Sequence, residues 1–125
     1  MKLHLDRGTA AYRISAYGSG YVMVNEERLT RSFILMPQRL VRDWPPRVYD
    51  ELLAGHIDML CEHGPEIVLL GTGARQRFPA ASVLAPLSER GIGVEVMDTP
   101  AACRTYNILM SEDRVVLAGL LMIEP

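Results

Sequence analysis

Two stretches concentrate the residues that could hold an anion or activate a reacting group: LLGTGARQRFP, residues 69 to 79, and MDTPAACRTYNIL, residues 97 to 109. The first closes an apolar run with Gly71-Thr72-Gly73 and continues into Arg75 and Arg77, a glycine-bearing turn beside two cations. A phosphate-binding P-loop needs a Lys-Ser or Lys-Thr pair after its second glycine, so that an ammonium and a hydroxyl reach phosphate and magnesium. No such pair follows Gly73. A dinucleotide fingerprint needs a third glycine where Gln76 stands and a helix opening directly from the loop, so that free amides face the pyrophosphate. Phe78-Pro79 delays any helix here. The plainer reading gives the glycines conformations with positive φ and has Phe78 close the core behind the turn.

In the second stretch, Asp98 or Thr99 suits an N-cap, because a side-chain oxygen can accept from a free backbone amide, and Pro100 suits the first helical position. Ala102, Cys103, Tyr106 and Met110 then share one face of a helix and are expected to pack inward. On that face Cys103 reads as a small buried residue rather than a nucleophile. Arg104 lies in the early turns, near the positive end of the macrodipole, a placement that costs roughly 0.3 to 1 kcal/mol unless an anion compensates. An ion pair with Asp98 or Glu95 is the expected compensation, and a bound anion the alternative.

Nothing else in the chain assembles a reactive set. His56 and His63 fall seven residues apart on one predicted helix, too far to share a metal without other ligands, and His4 is isolated. Cys61 and Cys103 form no CxxC pair and no disulfide framework, so a reducing compartment and a cytoplasmic location are expected. No Ser-His-Asp or Cys-His arrangement and no acid/base carboxylate pair can be argued from spacing. The expectation leans away from an enzyme, with no catalytic residues, no metal and no cofactor.

These residues need a scaffold, and 125 residues are most simply one domain, 1–125. With 49% apolar residues and a net charge of −2, the chain lacks the basic excess of a general nucleic-acid binder. The N-terminal MKLHLDRGTAAYRISAYG has no continuous apolar signal-peptide core, and no stretch approaches the roughly 18 apolar residues of a membrane span.

Between residues 11 and 36, AYRISAYG, YVMVN and RSFILMP read as antiparallel strands joined by turns at Gly18-Ser19-Gly20 and Asn25-Glu26-Glu27. Pro37 to Pro46 should be a loop anchored by Trp44. Apolar residues at helical spacing predict a helix over 47–63, stopped by Gly64-Pro65. EIVLLG suits a strand buried on both faces. A helix near 80–90 with a kink or break at Pro86, the strand GVEVM, a helix from Pro100 to about Met110 and the strand RVVLAGLLMI complete the chain. The β-α-β-α-β order over 66–123 implies parallel pairing for at least its first two strands.

If strands 66–70 and 93–97 are parallel, both stretches leave the carboxyl ends of their strands, where open α/β sheets place ligand crevices. Gly71, Thr72, Gly73, Arg75, Arg77, Asp98, Thr99, Arg104 and Asn107 could then line one polar edge, with a small anion as a possible ligand.

The strings EIVLLGTGARQRFP, GIGVEVMDTPAACRTYNIL and EDRVVLAGLL, together with FILMP and DWPP, resemble the Mth938-like family, also called the DUF498 domain, over nearly the whole chain from about residue 10. The bacterial branch is the nearer likeness. The resemblance implies a three-layer α/β fold with a mixed central sheet and additional antiparallel strands. It also implies protein partners, because the mitochondrial relative is an assembly factor for respiratory complex I. Its signature falls on Gly71, Thr72, Gly73, Arg75, Asp98, Thr99, Cys103, Arg104, Tyr106 and Asn107, without assigning chemistry to them. The leading expectation is therefore a non-enzymatic assembly or interaction factor, monomeric or paired through exposed strands. The alternative is a small-anion or nucleotide binding module, or an enzyme, using the two loops.

Overall fold

The computed structural model describes residues 11–124; His4 and the rest of the N-terminal stretch lie outside them. In chain order the elements are β1 (Ile14–Gly18), β2 (Tyr21–Val24), β3 (Glu27–Leu29), β4 (Phe33–Met36), β5 (Arg39–Val41), a 3-10 turn (Tyr49–Glu51), α1 (Ala54–Cys61), β6 (Ile67–Gly71), α2 (Ala81–Glu89), β7 (Gly93–Met97), α3 (Thr99–Ser111) and β8 (Val116–Leu120). A mixed sheet ordered β5-β4-β8-β6-β7 forms the centre, and β1-β2-β3 form a separate antiparallel sheet. β6 runs parallel to both β7 and β8, while β4 is antiparallel to β8 and β5.

Alternation along the central strands divides the core in two. Val68, Leu70, Leu117 and Leu121 pack with Trp44 and with Ile57, Leu60 and Leu87 of α1 and α2. Leu69, Val116, Ala118 and Leu120 pack on the other face with Ala102, Cys103, Tyr106 and Met110 of α3 and with Ile14, Val22 and Val24 of the small sheet. A strand covered on both faces reads as a continuous apolar run, as in IVLL of β6 and VLA of β8. The result is the three-layer α/β arrangement with a mixed central sheet and antiparallel N-terminal strands. No helix among the described residues is long and apolar enough to cross a membrane.

Several local expectations are corrected. The third N-terminal strand, β4, leaves its predecessors and pairs with β8 in the central sheet. Its place beside β2 is taken by β3, which begins at Glu27 directly after a two-residue turn at Asn25-Glu26, with Asn25 at φ 53. Asn tolerates that left-handed conformation better than most residues, which makes so tight a turn available. The Pro-rich passage holds β5 as well as the expected Trp44 anchor, which is 3% exposed and donates its indole N–H to the His56 carbonyl at 3.1 Å.

The helix over 47–63 is a 3-10 turn followed by α1, with Leu52 and Leu53 extended between them. That break buries Leu52 and leaves Leu53 exposed, a division that apolar spacing alone could not reveal. His56 supplies its Nδ1 to the Leu53 N–H at 3.0 Å at the start of α1, and His63 lies beyond the end of α1. α2 continues through Pro86 without interruption. The carbonyl left without its partner belongs to Ser82, in an exposed first turn where water can reach it.

Candidate functional site

β6, β7 and β8 are parallel, so their carboxyl ends meet at one edge, and the two signature loops leave from there. In open α/β sheets this edge is a ligand crevice. Here the polar groups of its buried floor are bonded to one another. Thr99, fully buried at the start of α3, donates its hydroxyl to the Leu121 carbonyl at 2.6 Å and accepts from the Gly73 N–H at 2.9 Å. Its backbone N–H donates to the Gly73 carbonyl at 2.8 Å, and the Leu121 N–H donates to the Gly71 carbonyl at 3.0 Å.

Thr72 makes the complementary set. Its N–H donates to the Met97 carbonyl at 2.9 Å, its hydroxyl lies 2.6 Å from the Arg75 carbonyl, and it accepts from the Arg77 N–H at 3.2 Å. Asp98 caps α3 by accepting from the Ala101 N–H at 2.8 Å.

The glycines serve two separate needs. Gly73 has φ +100, a left-handed conformation that side chains disfavour. Gly71 needs no special dihedral; a Cβ there would lie 2.8 Å from Leu120, 2.9 Å from the Thr99 hydroxyl and 3.1 Å from the Thr99 Cα. Hydrogen at that position is what lets α3 start against β6.

The basic residues divide into two groups. Arg77 lies 4.2 Å over the Tyr49 ring and bonds Asp50 at 3.2 Å, while Arg75 is exposed and has no ion pair among the described residues. Arg75, Arg77, Thr72 and Gly73 line a cleft of about 210 Å³ together with Tyr49 and Asp50. Arg104 and Asn107 are absent from that lining and face the small sheet instead. Arg104 donates to the Tyr17 hydroxyl at 2.7 Å. Asn107 accepts from the Ile14 N–H at 3.0 Å and donates to the Ile14 carbonyl at 2.8 Å, an amide acting as one more strand beside β1.

The expected pairing of Arg104 with Asp98 or Glu95 does not form among the described residues. Six residues separate 98 from 104, which places them on different faces of the helix, and Glu95 is exposed on the edge strand β7.

Cys103 and Tyr106 are buried as expected, and Tyr106 donates to the Tyr12 carbonyl at 2.9 Å. Burial pushes the Cys103 thiol up to about 12 and raises the Tyr106 phenol as well. A thiol so held is not a nucleophile at neutral pH. No group of three His, Cys, Asp or Glu residues among the described residues could hold a metal.

Phe78 corrects the sequence reading outright. It is 68% exposed and closes nothing. Tyr49, Asp50 and Gln76 were not singled out from sequence, although Gln76 donates to the Val96 carbonyl at 2.9 Å and caps the edge of β7. Nothing in the spacing signals a contact between Asp50 and Arg77, which are 27 residues apart.

Comparison with known proteins gives a consistent grouping. The family model described as a protein of unknown function, DUF498/DUF598, matches residues 14–121. The NADH dehydrogenase (ubiquinone) 1 alpha subcomplex assembly factor 3 of Danio rerio is 42% identical over 123 residues, covering 97% of this chain and 68% of that protein. Its Homo sapiens counterpart is 36% identical over 121 residues, covering 95% and 65%. The chain thus spans about two-thirds of the length of these assembly factors. Among solved structures, a crystal structure from Bordetella parapertussis superposes with a TM-score of 0.85 at 40% identity, covering 90% of this chain and 96% of that one. The solution structure of an Mth938-like domain from Bordetella pertussis gives 0.80 at 36% identity, covering 97% and 92%.

Proposed function

The chain belongs to the DUF498 family and carries its Mth938-like fold, and from that premise we propose that it is a non-enzymatic assembly or interaction factor for a respiratory or other protein complex. One observation carries this reading. The hydroxyls and amides gathered at the strand ends, where a ligand crevice would open, bond to one another, whereas Arg75 and Phe78 of the same loop face solvent. Polar groups already satisfied have little to offer a substrate, and an exposed aromatic beside an arginine is the composition of protein interfaces. The relatives named as assembly factors support the same direction. We place this activity in a reducing, cytoplasmic setting, since Cys61 and Cys103 are both free and buried.

The test is crosslinking followed by low-salt affinity capture of the tagged full chain from its native cell. A defined set of complex subunits should be enriched over an untagged control. If no protein is enriched, the reading fails.

A second reading takes the cleft of about 210 Å³ beside Arg75, lined by Arg75 and Arg77 and also by the carboxylates of Asp50 and Glu124, where Asp50 is already bonded to Arg77. A small anion or nucleotide would bind there. Phosphate, sulfate and nucleotides should raise the melting temperature of the wild type but not of Arg75→Ala; identical shifts in both proteins would end this alternative.

A further inference from the structure

Among the described residues β3 has one strand neighbour, β2, and its other side is open. The two-residue turn at Asn25-Glu26 fixes what that side presents. Val24 and Glu27 flank the turn and exchange both ladder bonds, so the next pair, Met23 and Arg28, is a non-hydrogen-bonded one. The Arg28 N–H and C=O therefore point away from β2, and no bond to either is present among the described residues. A donor and an acceptor turned outward on one residue are the half-site at which a further strand pairs.

That edge opens into a cleft of about 160 Å³ lined by Arg28, Leu29, Thr30, Arg31 and Arg42, three cations with no carboxylate between them. Two of the cations are partly engaged. Arg42 gives Nε and Nη2 to Glu27 at 2.7 and 2.8 Å, and Arg31 gives Nη2 to Asp43 at 2.7 Å. Nη1 of Arg42 and both Nε and Nη1 of Arg31 remain as donors among the described residues. Arg28 lies 4.1 Å over the Tyr21 ring and has no carboxylate partner there. Set against Glu27 and Asp43, the three arginines leave one positive charge in excess, beside the unpaired backbone of Arg28.

We propose that the open edge of β3 receives an extended, acidic segment of a partner protein. The segment pairs with the Arg28 backbone and sets its carboxylates against Arg28, Arg31 and Arg42. This rests on the interaction reading and names a place where the partner is held and the chemistry of the part that is held. β3 is three residues long, so the arginines rather than the length of the ladder select the occupant.

Two other occupants fit less well. A deprotonated oxyanion could use the guanidinium groups, but it has no donor for the Arg28 carbonyl, whereas a peptide supplies both groups. A second copy of this chain, paired antiparallel about Arg28, would set two Arg28 side chains directly opposite each other, a destabilising contact.

The test pans the immobilised full chain against a randomised peptide library. Selected peptides are then measured in solution by fluorescence anisotropy and by amide hydrogen exchange of the complex. Enriched peptides should carry Asp and Glu among β-branched residues, and their binding should slow exchange of the Arg28 N–H about tenfold or more. Arg28→Glu should weaken binding about tenfold or more. Arg28→Pro should do the same, because it removes an N–H that takes no part in the ladder to β2. Should Arg28→Pro fail to fold, Arg28→Glu and the exchange of the wild type still decide. Ile108→Ala, at an exposed site on α3, should leave binding unchanged.

Acidic peptides that leave the Arg28 N–H unprotected, or that bind Arg28→Glu like the wild type, would overturn this edge while leaving the interaction reading intact. Enrichment of basic peptides, or of none, also overturns it, and affinity capture from the native cell then judges the interaction reading separately. Equal protection of the Arg28 N–H by inorganic phosphate alone would reassign the cleft to an anion.

Discussion

The two halves of GTGARQRFP face opposite ways in every physical sense. Gly71, Thr72 and Gly73 are buried, and their backbone groups close the strand ends onto α3 and the segment after β8. Five residues on, Phe78 is one of the most exposed large apolar side chains among the described residues. A single motif thus does two jobs. Its glycines and threonine set the spacing between β6 and α3, and that rigid base displays Arg75 and Phe78. Substitutions in the buried half should therefore read out as stability, and substitutions in the exposed half as binding.

The strongest way to break that division is Thr99→Val, which keeps the shape of the side chain and removes its hydroxyl. The Gly73 N–H and the Leu121 carbonyl would both lose a buried partner. Each orphaned group costs about 1 to 3 kcal/mol. Urea denaturation should show a loss within that range or above it with an unchanged m value. A loss under about 0.5 kcal/mol would mean that the strand ends are not held by this bond network.

The next effect is a pH dependence seated on the same buried face. The Cys103 thiol is raised by burial from an ordinary value near 9 to about 12. The unfolded chain therefore loses this proton first as pH rises. The contribution to stability is complete below about 9 and is lost through the window up to about 12, at no more than about 1.4 kcal/mol per pH unit. Cys103→Ala should flatten the alkaline decline measured by denaturation at several pH values, and an unchanged slope would contradict the burial argument.

How far sequence reached into these regions follows from the range of the interactions. The IVLL run of β6 and a helix cap at Asp98 or Thr99, which the structure assigns to Asp98, were legible because apolar runs, N-caps and prolines act on their immediate neighbours. The partner of Arg104 was not, because Tyr17 lies 87 residues away and becomes a neighbour only when the small sheet packs on α3. The same holds for the departure of β4 to β8, since short apolar strands carry little information about which edge they join. Phe78 was misplaced for a different reason. Apolar character favours burial but does not enforce it, and the fold leaves much apolar surface outside.

Asn107 extends the buried-half logic to the other end of α3. Asn107→Ala removes two hydrogen bonds to Ile14 from a half-buried site, a loss of about 1 to 2 kcal/mol on the usual net value for such bonds. Amide exchange should separate it from a global effect: β1 amides should exchange faster at denaturant concentrations where those of β6 stay protected. Uniform acceleration across both sheets would show that the small sheet and the central sheet open as one unit.

The smallest expected effect sharpens the comparison most. Arg75→Ala and Phe78→Ala touch no buried group, and each should change unfolding free energy by less than about 0.5 kcal/mol. If Phe78 were instead part of the core, its truncation would cost about 3 to 5 kcal/mol. Thermal and urea denaturation of Phe78→Ala therefore distinguish the two placements by a margin far beyond measurement error. A neutral result would leave the exposed aromatic without any role in holding the fold. On the interaction reading proposed above, the loop held through Thr72 and Gln76 is then the part of the motif open to a partner.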